Sequence, residues 1–422
     1  MIFSTEIKSL ARFKKSSFTR NRKLTLPHLI ITILRTFSRS IFLEIISVCE
    51  RFRIIQFTKQ ALSRSRENLN SEVFELLNNS FVDGYYEEDY KTYNGYILLA
   101  CDGCRVSLPI SDELKKDFGC LKNQSGISSH PTALTSVLYD IENEIIVSSV
   151  IKHVLSSEKQ LVLDHIEKIK SFENLYGKKI IILFDRDYPS LEIISALLVN
   201  KISFIMRCSR SWLKEAKDAL NYKEYDSIKE VTLKLKRNKN KNSVKEYFEK
   251  LGNRMSLRFI CRKFPDGVKG IFVTNLLQVE FSSERILELY RRRWEIETHF
   301  RMEKQTAELE NFASKTTNKI KQEYFAKVLL MNFTNLLIHE AMEEKKEIFE
   351  NGKYKINKNI AFGIVKDKLD FLISGINSDK TIELIKDRLL RIPKITVRSN
   401  RKFPRHEKIR KRKFEMNRRR AT

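Results

Sequence analysis

Ile180-Ile-Ile-Leu-Phe184-Asp185-Arg186-Asp187-Tyr188 sets five apolar residues against an abrupt run of charge. A short apolar run led by β-branched residues reads as a strand covered on both faces. An acid directly after such a run is costly to bury unless it has a task. Upstream, a helix is predicted from a Ser157-x-x-Gln160 capping box to Gly177. Downstream come a helix near Ser190 to Val199 and a strand from Ser203 to Met206. Three further strands precede the unit: Tyr96 to Cys101, ending at Asp102-Gly103, then Ala133 to Tyr139 and Ile145 to Ile151. Glu142-Asn143 supplies the turn between the last two.

The resulting order, β-β-β-α-β-α-β, is that of an α/β protein with a ribonuclease H-like core, a mixed sheet with flanking helices. Ligands of open α/β sheets bind where strands end. Asp102 and Asp185 each close an apolar strand, which makes both candidate site residues. Asp187 lies two positions further on and would face the same side of an extended strand, so spacing alone does not choose between Asp185 and Asp187.

The rest of the chain divides around this core. Residues 1–90 read as an α-helical N-terminal domain, with apolar periodicity over Leu26 to Phe37 and Ile41 to Val48 and a basic helix from Phe57 to Arg66 that Thr58 caps. That order resembles a helix-turn-helix, in which Lys59, Arg64 and Arg66 would meet DNA, and equally an ordinary small helical bundle. Residues 91–207 are the first part of the core, and 208–280, with short alternating segments at Val231 to Leu235, Leu257 to Cys261 and Ile271 to Leu276, form a β-rich insertion that interrupts it. Residues 281–395 return to the core with helices at Tyr324 to Ile338 and Ile360 to Ile373. Residues 396–422 are a basic tail, with twelve Lys or Arg and two Glu between Arg398 and Arg420.

Composition narrows the partners. A chain of 422 residues with 42% hydrophobic content buries a sizeable core, and a net charge of +26 calls for a polyanionic partner. The longest early apolar stretch, Leu24 to Leu34, contains Pro27 and His28 and is too short to span a bilayer; a DNA partner, no membrane and a cytoplasmic location are expected. Six cysteines in such a chain read as reduced thiols. The Cys101-Asp-Gly-Cys104 spacing lacks the second pair that a zinc site of this type uses.

The most distinctive later stretch is Tyr290-Arg-Arg-Arg-Trp-Glu-Ile-Glu-Thr-His-Phe-Arg-Met-Glu-Lys304. On a continuous helix Tyr290, Arg293, Glu297 and Lys304 fall within about 60° of one another, placing one carboxylate in a stripe of donors. Leu289, Ile296 and Phe300 form an adjoining apolar arc for packing. With Asp102 and Asp185 at strand ends, Glu297 would complete a three-carboxylate set. Such a set suits Mg²⁺ or Mn²⁺, two ions holding the attacking and leaving oxygens of a phosphoryl displacement, while Tyr290, Arg293 and Lys304 grip the DNA phosphates.

These four residues match Y-x₂-R-x₃-E-x₆-K at every spacing, and on that pattern the chain resembles the DDE transposases of the insertion-sequence-four family. Asp102-Gly103 resembles the family's first catalytic Asp-Gly, and Asp185-Arg-Asp-Tyr188 its Asp-Arg-Gly-Tyr, which selects Asp185. Cys104, where a small hydroxyl residue is usual, and Asp187, in place of glycine, depart from the pattern. The resemblance implies Asp102, Asp185 and Glu297 as catalytic metal ligands and metal-dependent cleavage of mobile-element ends. It further implies strand transfer into target DNA and a homodimer that pairs two ends. An inactive relic that binds the ends as a repressor is the alternative; the presence of all three acids argues against it.

Overall fold

The computed structural model describes residues 5–20, 22–35, 40–122, 128–233, 242–264, 267–297, 310–374, 378–392 and 395–396. The basic tail and Lys304 lie outside them. Two compact units form: residues 1–81, 105–133 and 301–422 make the first, residues 82–104 and 134–300 the second.

In the first unit the N-terminal periodicity becomes helices at Leu26–Arg35, Ile41–Phe52 and Lys59–Glu67, followed by Glu72–Tyr85, whose last residues pass into the second unit. Thr58 caps the basic helix as expected, accepting the amide of Ala61 at 3.1 Å. The 28-residue helix Thr317–Glu344 is buried along most of its length, among aliphatic and aromatic residues but also Gln322, Glu323 and Lys327. A helix at Lys358–Ser374 follows, as read, and another at Ser378–Arg391 that the apolar pattern did not reveal.

The sheet is mixed and flanked by helices. Its strands are β1 (Ile97–Ser107), β2 (Cys120–Lys122), β3 (Ser128–Asp140), β4 (Ile145–His153), β5 (Ile180–Phe184), β6 (Ser203–Cys208), β7 (Tyr225–Thr232), β8 (Arg254–Lys263) and β9 (Lys269–Thr274). They lie in the order β2-β3-β1-β5-β6-β9-β8-β7, with β4 on β3. β1, β5 and β6 run parallel, whereas β3 lies antiparallel to β1, since Leu108 bonds to Pro131 at one end and Ile141 to Leu98 at the other. The helices Glu158–Lys170 and Leu191–Val199 are the crossovers that parallel pairing requires.

Three local readings change. β1 does not stop at Cys101: it continues to Ser107, and what ends at Asp102 is its burial. The helix predicted to reach Gly177 ends at Lys170, and Ser157 makes no side-chain cap bond. The first strand of the 208–280 segment is Tyr225–Thr232, earlier than Val231 to Leu235, because its outward side chains are charged and mask the alternation. That segment's strands join the core sheet through β9, which pairs with β6 from Ile205↔Thr274 to Cys208↔Ile271.

Candidate active site

Register brings the two aspartates together. β1 and β5 pair from Ile97↔Ile180 to Ala100↔Leu183. Continuing that register, Asp102 stands alongside Asp185, with neighbouring parallel strands about 4.8 Å apart. The β5–β6 register, Phe184↔Met206 at its end, extends the row to Arg207, a residue the sequence reading passed over because its meaning depends on strand pairing. Asp102 accepts the Gly103 amide at 2.9 Å, and Asp185 accepts the amide of Arg186. Burial pushes the Asp102 carboxyl up to about 6; the Gly103 amide and Arg293 oppose this, and the charges of Asp185 and Glu158 add to it. Asp187 does not share a strand face with Asp185, because β5 ends at Phe184 and Asp187 sits in an exposed turn.

The charged stretch from Tyr290 is not one continuous helix. Ser282 caps a helix at Ser283–Arg292, accepting the Arg285 amide, and Arg293 is its C-cap; residues 294–297 are helical again. The apolar arc still packs as expected at Leu289 and Ile296, both buried, while Phe300 lies outside the described residues. Tyr290 turns its ring against Phe272 of β9, 4.9 Å between centroids. Burial raises its hydroxyl pKa. Arg258 braces this entry from below: buried, it binds Asp226 through two 2.7 Å bonds and the carbonyls of Leu276 and Phe281.

Arg293 is the unusual member. Only 6% exposed, it donates through Nη2 to Glu297 at 3.0 Å and holds Nη1 3.9 Å from Asp102 Oδ2. Among the described residues its Nε and Nη1 find no hydrogen-bond partner, and its guanidinium lies 5.8 Å from the centroid of the Tyr290 ring. A buried guanidinium with two idle donors is expensive, unless a ligand completes it.

In the N-terminal helices the three predicted cations separate. Lys59 is exposed over the Phe42 ring at 5.7 Å. Arg64 is exposed and lines a groove of about 1360 Å³ together with Lys8, Lys14, Arg20, Arg22 and Lys23; among the described residues no acidic side chain lines it. Arg66 corrects the reading: it is 4% exposed, paired with Glu323 at 2.9 Å and bonded to Gln322 and the Lys319 carbonyl at 3.0 Å. It points into the core, where it supplies the countercharge to Glu323 on the long helix, beside that carboxylate's bonds from the Ala313 amide and the Ser314 hydroxyl.

The family model described as "Transposase DDE domain" matches residues 115–333, just over half of the chain. The chain belongs to the DDE-domain transposases. Asp185 and Glu297 fall inside the matched residues, while Asp102 precedes them. Among solved structures, the cryo-EM structure of a piggyBac transposase synaptic complex with hairpin DNA is similar at 10% identity, covering 93% of this chain and 84% of that one with a TM-score of 0.45. No curated protein matches.

DDE transposase domains generally depend on divalent metal. Asp102 and Asp185 fit it: two adjacent oxygen donors whose mutual repulsion a hard cation relieves. Glu297 is engaged by Arg293 instead. Among the described residues no group of three His, Cys, Asp or Glu is set to hold an ion. No described helix is long and apolar enough to cross a membrane.

Proposed function

We propose that this DDE-domain transposase is of the insertion-sequence-four type, cuts the ends of its own mobile element on a ribonuclease H-like core, and joins them to target DNA. The observation that carries this is the β1–β5 register, whose continuation by two residues sets Asp102 beside Asp185, with Arg293 Nη1 3.9 Å from Asp102 and, among the described residues, its Nε and Nη1 without a hydrogen-bond partner. In this reading Asp102, Asp185 and Glu297 hold the divalent ions. Mg²⁺ or Mn²⁺ held there would supply an activated water and neutralise charge on the leaving oxygen.

The chain's own residues do the rest. Arg293 offers its idle donors to a DNA phosphate; a phosphate there competes with Glu297 for the guanidinium and frees that carboxylate. Tyr290 and Lys304 are the further donors that the resemblance implies. The N-terminal helices hold duplex DNA through Lys59 and Arg64, a role that the acid-free basic groove supports. Asp185, in register with Asp102, is favoured over the exposed Asp187 as second acid. The resemblance further implies a homodimer that pairs two ends and acts on bacterial DNA in the cytoplasm.

The test is direct. Short inverted repeats bordering the coding region define the cognate ends, and purified protein with Mg²⁺ should cut them. Ends that are bound yet stay whole would reduce the protein to a DNA-binding repressor.

A further inference from the structure

Glu158, at the start of the helix Glu158–Lys170, belongs to no motif in the sequence, yet it touches both segments that carry the aspartates, β1 at Gly103 and the turn after β5 at Tyr188. Its Oε2 accepts the Tyr188 hydroxyl at 3.1 Å. Tyr188 is 2% exposed, packs its ring against Phe184, and closes the turn after β5 by donating its amide to the Asp185 carbonyl at 3.3 Å. On the other side, the Glu158 carboxyl lies over Gly103: a Cβ built there would meet Glu158 Cδ at 2.9 Å and Oε2 at 3.0 Å. Gly103 does not adopt a left-handed backbone. A side chain there would have to displace the Glu158 carboxyl.

We propose that Glu158 is a positioning residue: by lying in the notch at Gly103 and accepting the Tyr188 hydroxyl, it locks the Asp185 turn against β1 so that Asp102 and Asp185 share one divalent ion. This rests on the two-aspartate reading above. It also gives Asp102-Gly103 and Tyr188 one physical connection, since the glycine makes room for the carboxylate that the tyrosine binds.

The experiment is Mn²⁺ binding to the full chain, followed by the loss of the free-ion paramagnetic resonance signal, with thermal melts to establish that each variant folds. Tyr188→Phe and Glu158→Ala should each weaken Mn²⁺ binding about three- to tenfold, the worth of one hydrogen bond. Glu158→Gln keeps an acceptor and should stay within about twofold. Gly103→Ala should weaken binding in the parent and add nothing in the Glu158→Ala background, because the group it displaces is gone. Tyr188→Phe without effect, or Glu158→Gln as damaging as Glu158→Ala, would overturn the lock in favour of a purely electrostatic role. The underlying reading has its own control: if Asp102→Ala bound Mn²⁺ like the parent, the two-aspartate site itself would fail.

Discussion

Arg66 in the first unit and Arg293 in the second are about equally hidden, at 4% and 6% exposure, and opposite in their accounting. Arg66 meets Glu323, Gln322 and a main-chain carbonyl. Arg293 meets Glu297 and leaves two donors idle in the presence of Asp102. Burial by itself therefore says little about function. A buried charge whose bonds close within the fold is architecture, whereas one whose bonds stay open marks where a ligand belongs.

The largest effects should come from the acids on the open side of this contrast. Asp102→Ala or Asp185→Ala should lower end cleavage at least about a thousandfold, since several kcal/mol of transition-state charge stabilisation go with the ions, while gel-shift affinity for the ends holds. A fully active Asp185→Ala protein would hand the second position to Asp187. On the closed side, Arg66→Met should cost about 3–5 kcal/mol in urea unfolding, because it strips the countercharge from the buried Glu323 carboxylate. A loss below about 1 kcal/mol would show that Arg66 is not the counterion its geometry indicates.

Much of the fold was legible because local pattern and burial coincide: Ile180 to Phe184 is apolar throughout and occupies the middle of the sheet. The aspartate pair was half legible. Each acid stood out after an apolar run, but only parallel pairing makes them neighbours and adds Arg207 to the row. Arg66 misled because its sequence surroundings are polar, and the acid it serves lies more than 250 residues away. Glu158 was hidden for the same reason. Its partners, Gly103 and Tyr188, are near only in space. The break of the charged helix at Arg293 has no signal in a pattern that fits a continuous helix at every spacing.

A smaller, pH-dependent effect separates scaffold from site within the second unit. His165 is fully enclosed between Ser148 and Ser136, 2.8 and 3.0 Å from its ring nitrogens, and burial lowers its pKa to about 3. The folded protein thus refuses a proton that the unfolded chain accepts below its ordinary value of 6.5. Its contribution is whole above that pH and is lost as pH falls toward 3, by at most about 1.4 kcal/mol per unit. Asp102 and Asp140, both raised to about 6, act in the opposite sense between their ordinary value and 6. His165→Gln keeps both serine partners and leaves those acids untouched, so the parent-minus-variant stability should decline by about 2 kcal/mol from pH 7 to pH 5. A flat difference would mean that the ring is protonated in place.

Arg293 itself should give the smallest change in stability and the most specific one in binding. Arg293→Ala removes two idle donors along with the charge, and the Glu297 side chain, 33% exposed, can turn to water. The melting temperature should therefore stay within about two degrees of the parent or rise. Affinity for the element ends should fall about tenfold, and the dependence of log K on log salt should flatten by about one unit, as the loss of a single phosphate contact requires. A strongly lowered melting temperature with an unchanged salt slope would place Arg293 beside Arg66 as architecture, and the contrast between the two arginines would dissolve.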